Sequence, residues 1–436
     1  MTLSTSSRVV VPGGALRGEL RPPPDKSITH RAVFLSALAQ GTSRIVHPLT
    51  ADDCERSAEA FRTLGVSIES NPQGDWIVVG RGLYGLREPA SDLIYCGNSG
   101  TTLRLIAGVL SGQPFSTKLM GDKSLSGRPM DRVVKPLQQM GAEITARKGS
   151  FAPLHIHGRR PLHAIEWKSP VSSAQVKSCV LLAGLYAEGT TTVEEPLRSR
   201  DHTERMLAAA GVRLTVEERR VSVQGGQSLT PQDWVVPSDI SSAAFFIVGA
   251  LLAPGSELML RNVNTNPTRD GVLEVLEKMG ATIQRERSLV AGGEPITDLL
   301  VRHRGLKAVT FGAEIMPRLV DEVPILALAA TQADGTTEIR GAGELRVKES
   351  DRLAQMARGL NKMGAQVEEL SDGLRITGPT PLQGAVLDSA GDHRLAMTFA
   401  IAGLIARGET EIDNADCVDI SFPTFWQDLE RLRVQS

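Results

Sequence analysis

Six segments of this chain share one plan, and that repetition limits the possible fold more than any single motif does. Each is an apolar stretch that ends in a small-residue turn ahead of a strand-like pattern. They are ITHRAVFLSALAQG (28–41), GTTLRLIAGVLSG (100–112), SSAQVKSCVLLAGLYAEG (172–189), SSAAFFIVGALLAPG (241–255), DEVPILALAATQADG (321–335) and DHRLAMTFAIAGLIARG (392–408). Their closing glycines, Gly41, Gly112, Gly189, Gly255, Gly335 and Gly408, lie 71, 77, 66, 80 and 73 residues apart. Such a period marks one supersecondary unit used six times. A second, more polar helix follows in each copy, and five of these end alike: LGVSIE (64–69), MGAEIT (140–145), AGVRLT (210–215), MGATIQ (279–284) and MGAQVE (363–368). Glycine there fits a helix C-cap in the left-handed region, and the residues after it alternate as a strand does. The sixth copy, ending near LERLRV, is degenerate.

The first helix of each copy is apolar nearly all round, as AAFFIVGALLA and RAVFLSALA show, which suits burial on every side. The second is amphipathic: in PTRDGVLEVLEKMG, Val272, Val275, Leu276 and Met279 recur at helical spacing. Short strands, WIVVG (76–80), HIHG (155–158), VSVQG (221–225) and LRITG (374–378), close the units. Helix pairs alternating with short strands predict an α/β (α+β) chain with sheets around central helices. Three units per lobe make two similar lobes. The expected crossings fall near Arg21–Pro24 and Asp233–Ser238, so that residues 1–22 with 238–436 form one lobe and 23–237 the other. Helix ends facing each other across the cleft between lobes are the expected place for an active site.

Charge falls at the starts of these helices. Lys26, Ser27 and Arg31 come first, then Asn98 to Thr101 and Arg128; Ser172, Ser173, Gln175 and Arg200 follow, then Asp321, Lys348 to Arg352, and Asp392 to Arg394. A helix N-terminus offers unpaired N–H groups and partial positive charge, and Arg or Lys beside it recognises phosphate or carboxylate. One such arginine ordinarily pairs with a local acid. The whole set predicts a site for small, multiply charged anions.

Bulk properties narrow the class. A net charge of −2 and the absence of a Lys/Arg run argue against nucleic acid. The longest apolar stretch, Ala243 to Ala253, is too short to span a bilayer. MTLSTSSRVVVPGG lacks the layout of a secretion signal, and Cys54, Cys96, Cys179 and Cys417 are scattered, as reduced thiols of a cytoplasmic protein would be. The histidines never group with acids or cysteines at ligand spacing, HIH (155–157) lacks a third ligand nearby, and no GxxxxGK[ST] occurs. No metal or organic cofactor is therefore expected, and a monomer is the expectation.

In order and spacing, PPPDKSITHR, GNSGTTLR, SGRPM, SSAQVKS, SRDHTERM, DEVPILA, RVKESDRL and GDHRLAM resemble the motifs of the 5-enolpyruvylshikimate-3-phosphate synthase family, from about residue 12 to 425. DKSITHR with SAQVKS is more similar to the family's second sequence class than to its first. The resemblance implies two lobes, each of three βαβαββ units around parallel helices, in agreement with the repeat count read from the residues. It also implies transfer of the enolpyruvyl group of phosphoenolpyruvate to the 5-hydroxyl of shikimate 3-phosphate, with release of phosphate. By the same resemblance Lys26 touches both substrates. Ser27, Arg31, Ser173, Gln175, Arg200, Asp321 and Lys348 match shikimate 3-phosphate positions; Gly100, Arg128, Gln175, Arg352 and Arg394 match phosphoenolpyruvate positions. Whether Ser172 or Ser173 makes the phosphate contact stays open.

The chemistry asks for an acid and a base. An enol ether is unreactive as an electrophile until its methylene carbon is protonated, while the attacking hydroxyl must lose a proton. Two carboxylates divide those roles when their surroundings separate their pKa values. Asp321 and Glu349 are the candidates. Asp321 is expected to open its apolar helix, where the dipole favours the ionised form and an N-cap role is also open. Glu349 stands between Lys348 and Arg352, where a surface i,i+3 pair is the plainer reading. The resemblance implies that Asp321 is the base and that Glu349, with Lys26, handles protons at the methylene and departing phosphate.

One departure from the pattern concerns VDISFPTF, where Ile420 stands in place of a lysine of the first class, so no role passes to it. Gly100 occupies the position that in the family goes with sensitivity to glyphosate. Two rival readings are UDP-N-acetylglucosamine enolpyruvyl transferase and a non-catalytic anion-binding repeat protein. The first carries a cysteine before its loop Arg-Pro and a Lys-Asn helix start, whereas this chain has GDKSLSGRP (121–129) and Lys26-Ser27. Against the second stand Asp321 and Glu349, because a pure anion binder gains nothing from carboxylates among its cations.

Overall fold

Each repeated apolar segment forms a helix: α1 (Lys26–Leu38), α2 (Gly100–Ser111), α3 (Ala174–Gly184), α4 (Ile240–Leu252), α5 (Val323–Thr331) and α6 (His393–Ile405). The computed structural model describes residues 6–434. Five of the six helices start on a side-chain cap. Asp25, Ser99, Ser173, Asp239 and Asp392 accept from the N–H groups of Ile28, Thr102, Val176, Ser241 and Arg394. Each cap satisfies one of the amide donors that a helix start leaves without a partner.

Helix α5 is the exception and corrects an expectation. Asp321 does not open it. The helix begins at Val323, with Pro324 in its first turn, where a missing N–H costs nothing. Asp321 sits before it in a 3-10 turn, Val320–Glu322, and Glu322 at the N-cap makes no capping bond with its side chain.

The chain divides into two compact units. One takes the chain up to Pro23, Ser238–Leu289 and Pro295 onward; the other takes Pro24–Pro237 with Val290–Glu294. Each has its own apolar core, centred on α4, α5 and α6 in the first and on α1, α2 and α3 in the second.

In the second unit the repeat is realised three times as a four-stranded sheet. Leu93–Tyr95 runs parallel to Ser116–Met120, whose other neighbour, Phe151–His157, is antiparallel and pairs with Glu143–Arg147. Glu166–Lys168, Thr190–Glu194, Arg220–Gln224 and Leu214–Val216 repeat that order. The third sheet has the same order, but its parallel strand, Asp233–Val235, is supplied from the far end of the unit to Gln40–Val46.

The first unit follows the same plan with one substitution. Ala15–Leu20 lies parallel to Glu257–Asn264, and Thr310–Phe311 to Ala333–Ile339, each beside an antiparallel pair. In the degenerate sixth copy Thr410–Asp413 takes its antiparallel partner from Arg8–Val10. The last strand, Arg433–Val434, pairs with Ala15–Leu20 instead.

The glycines after the amphipathic helices, Gly65, Gly141, Gly211, Gly280 and Gly364, all have φ between 85° and 95°. A side chain there would be strained, so glycine is what lets each helix turn directly into the next strand.

Candidate active site

In the second unit most of the candidate side chains stand at the N-terminal ends of α1, α2 and α3. Lys26 is the first residue of α1, and its Nζ lies 3.0 Å from Asp53 Oδ2. One turn on, Arg31 is 4% exposed and uses all three guanidinium nitrogens. Nε donates to Thr203 Oγ1 (2.7 Å), Nη1 to Ser27 O (2.9 Å) and Nη2 to Ser178 Oγ (2.9 Å). Burial pulls its pKa down to about 10, while Glu204 and Asp25 oppose the shift. Arg31 therefore remains a cation at neutral pH.

Gly100 opens α2 and is buried. A Cβ built there would meet Arg104 Nη1 at 3.0 Å. Arg104 donates from Nη1 to Gln175 Oε1, and Gln175 Nε2 donates to Thr101 Oγ1 at 2.9 Å, so the Gln175 amide is held from both sides. Arg128 follows the 3-10 turn Leu125–Gly127 and donates to Asn98 Oδ1 at 2.6 Å.

The two serines before α3 have different duties. Ser173 caps the helix, whereas the Ser172 hydroxyl donates to Leu197 O (2.7 Å) and accepts from Leu197 N (2.9 Å). Arg200 precedes the helix His202–Ala209, close enough for its charge to help lower the pKa of Arg31.

Beneath these residues lies a cluster that the sequence reading missed. Lys177 Nζ sits 2.9 Å from Glu195 Oε2 and 2.7 Å from Glu204 Oε1, with all three side chains at most 5% exposed. Burial alone would lower the lysine pKa, but Glu204 and Glu195 outweigh it and hold it above the ordinary value. Glu195 also accepts from Ser173 N (2.9 Å) and Ser199 Oγ (2.8 Å). The cluster thus ties the start of α3 to the 195–204 segment. The available signal was Lys177 itself, a charge inside an apolar helix, which is rarely buried without partners.

In the first unit the centre is Arg352, the first residue of the helix Arg352–Lys362, with its side chain 1% exposed. Its Nη2 lies 2.7 Å from Glu349 Oε2, its Nε 2.7 Å from Asp392 Oδ2 and its Nη1 3.4 Å from Asp321 Oδ1. Burial disfavours its charge, yet Glu349 and Asp392 outweigh this and raise its pKa. Arg352 in turn overrides the burial of Asp392 and lowers that carboxyl's pKa. The i,i+3 pair with Glu349 does form, but one partner is buried, so it is not a surface pair. Lys348 Nζ reaches Asp321 Oδ1 at 3.9 Å and Glu344 Oε1 at 3.0 Å. Arg394 Nη1 donates to Asp321 O at 3.1 Å. Asp321, Lys348, Glu349, Arg352 and Arg394 are thus gathered in one cluster, and Lys26, Ser27, Arg31, Gly100, Arg128, Ser173, Gln175 and Arg200 belong to the other unit. Ile420 is 37% exposed in the 3-10 turn Ala415–Ile420.

Among the described residues no group of three or more His, Cys, Asp or Glu is placed to hold a metal ion, and no helix is long and apolar enough to cross a membrane. Each unit carries a cationic cluster with interspersed carboxylates. The sequence matches the family EPSP synthase (3-phosphoshikimate 1-carboxyvinyltransferase) over residues 10–429. The chain belongs to the EPSP synthase family. A 3-phosphoshikimate 1-carboxyvinyltransferase of Desulforamulus reducens is 50% identical over 428 residues, covering 98% of this chain and 99% of that protein. A protein of the same name from Synechocystis sp. is 54% identical, over 95% of this chain and 93% of its own length, and one from Bacillus subtilis is 48% identical, over 97% of this chain and 98% of its own. A solved EPSP synthase from Acinetobacter baumannii superposes with a TM-score of 0.90 at 43% identity, over 99% of both chains. The fold seen here, mixed α/β with a thrice-repeated unit in each half, is that of the EPSP synthases.

Proposed function

We propose that this chain transfers the enolpyruvyl group of phosphoenolpyruvate to the 5-hydroxyl of shikimate 3-phosphate and releases phosphate, as a cytoplasmic monomer. The observation that carries the reading is that each unit holds its own cation-rich cluster with carboxylates among the cations. Both substrates are multiply charged anions, which accounts for the cations. Beyond their ion pairs with Arg352, Asp321 and Glu349 supply the base and the acid that the reaction needs.

In this reading Lys26, Ser27, Arg31, Ser173, Gln175, Arg200, Asp321 and Lys348 bind shikimate 3-phosphate. Lys26, Gly100, Arg128, Gln175, Arg352 and Arg394 bind phosphoenolpyruvate. Ser173 presents the start of α3 to the phosphate, because the Ser172 hydroxyl is engaged with Leu197 in both directions.

The reaction proceeds by addition and elimination. Asp321 takes the proton of the 5-hydroxyl, whose oxygen attacks the substituted carbon of the enol as the methylene carbon gains a proton. Loss of that methyl proton with departure of phosphate restores the double bond. Glu349 and Lys26 handle the protons of the methylene and of the leaving phosphate. Arg352 holds both carboxylates by ion pairs, Asp321 through Nη1 and Glu349 through Nη2, which fixes the separation of acid and base.

The test is phosphate release from the purified protein given phosphoenolpyruvate with shikimate 3-phosphate, beside an assay with UDP-N-acetylglucosamine. Release with shikimate 3-phosphate alone is the expected result. Release with the nucleotide sugar, or with neither acceptor, would overturn the reading.

A further inference from the structure

The polar contacts of the first unit continue past the proposed substrate residues into its core. Arg269 is among the largest fully buried side chains, at 2% exposure. Its Nη2 donates to Asp239 Oδ1 at 3.2 Å and to Ser241 Oγ at 2.7 Å. A guanidinium only donates, so the Ser241 hydroxyl must direct its own proton elsewhere. It directs it to Glu322 Oε1. Glu322 is 1% exposed and lies 3.7 Å from Arg394 Nη1. Charges alternate along this path: Asp239, Arg269, Glu322, Arg394.

Glu322 has a plainer explanation available, as the N-cap of α5. Its side chain makes no capping bond, so that explanation leaves the buried carboxylate unused. A buried ion pair is also weak evidence for stability, since well-packed apolar residues serve a core as well or better.

We propose that Glu322 is a positioning residue for phosphoenolpyruvate: it sets the guanidinium of Arg394 and is itself held to the start of α4 by Ser241 and Arg269. The inference rests on the assignment of Arg394 to phosphoenolpyruvate made above. Arg394 Nη1 then faces two acceptors, the backbone carbonyl of Asp321 at 3.1 Å and the carboxylate of Glu322 at 3.7 Å. Losing the second acceptor lets the guanidinium swing, which weakens its grip on the anion and leaves the other substrate's contacts in place.

Two substitutions separate the parts. Glu322→Gln keeps the size and the oxygen that accepts from Ser241 but removes the charge facing Arg394. Ser241→Ala keeps that charge and removes the hydroxyl that orients it. The wild type is assayed first by phosphate release with both substrates; a silent wild type refutes the functional reading and this inference together. With an active wild type, each variant is expected to raise the KM for phosphoenolpyruvate roughly tenfold and to leave that for shikimate 3-phosphate within about twofold. Combining Glu322→Gln with Arg394→Lys should add little to the effect of Arg394→Lys alone. Equal shifts in both KM values, or lower thermal stability with both KM values unchanged, would show a purely structural carboxylate. If Glu322→Gln fails to fold, the milder Ser241→Ala carries the test by the same criteria.

Discussion

Replacing Lys177 by methionine tests the account of the second unit most directly. The ammonium lies 2.9 and 2.7 Å from two carboxylates, and none of the three side chains is more than 5% exposed. At an effective dielectric of about 20 each contact is worth about 6 kcal/mol before desolvation, and burying each ion offsets several kcal/mol of that. Methionine fills much of the space of the lysine stem but leaves two buried carboxylates facing each other. Removing one partner from a buried ion pair costs about 3–5 kcal/mol, and in a unit of this size that lowers the melting temperature by roughly 6–20 °C.

The pH dependence distinguishes this cause from a packing defect. In the wild type the lysine pKa is raised, so its contribution is complete throughout the neutral range and is lost only in strong alkali. In the variant the stranded carboxylates favour protonation, so the deficit should shrink as pH falls from about 8 toward 5. Glu204→Gln added to Lys177→Met should recover part of the loss, since Glu195 still accepts from Ser173 and Ser199. The measurement is a thermal melt by circular dichroism at pH 8 and pH 5 for wild type and both variants. A Lys177→Met melt within about 2 °C of wild type at pH 8 refutes the argument, as does a deficit that ignores pH.

Further outcomes follow from the same geometry. Asp321→Ala should lower turnover by about 10²–10⁴-fold with both KM values little changed, measured by phosphate release; unchanged turnover removes Asp321 from the chemistry. Gly100→Ala puts a methyl 3.0 Å from Arg104 Nη1 and 3.6 Å from Leu125 Cδ1, so Arg104 must yield and loosen its hold on Gln175. Such overpacking costs about 1–3 kcal/mol, expected as a raised KM for phosphoenolpyruvate and weaker competition by glyphosate; identical inhibition curves count against it. Burial drives His30 down to about 3 from 6.5, so the neutral ring's contribution is complete above 6.5 and is lost as pH falls toward 3. At pH 5 the loss is about 2 kcal/mol, and His30→Asn should flatten that part of a urea-unfolding profile between pH 7.5 and 5.

Much of the architecture was legible because it depends on local rules. A helix such as AAFFIVGALLA has no polar side to show to water, so its burial follows from composition alone. The glycines at 65, 141, 211, 280 and 364 announced helix ends because the left-handed region excludes most other residues. The polar residues at helix starts could be picked out singly, and the resemblance of DKSITHR and RVKESDRL to a known family added roles to them.

What the chain could not reveal locally was partnership. Lys177 was passed over because its carboxylates come from residues 195 and 204, beyond the helix that carries it. Asp321 looked like a helix start, but Pro324 fits the first turn and the helix begins two residues later. The sequence by itself determined the six buried helices, the glycine-marked ends of the helices that follow them and the residue types available for anion chemistry. Only the tertiary structure decided that Asp233–Val235 completes the sheet of Gln40–Val46, that Arg8–Val10 serves the sixth copy, and that Arg352 sits inside a ring of three carboxylates. Strand pairing and ion pairing are satisfied by whichever partner the packed core brings near, and distance along the chain carries no record of that choice.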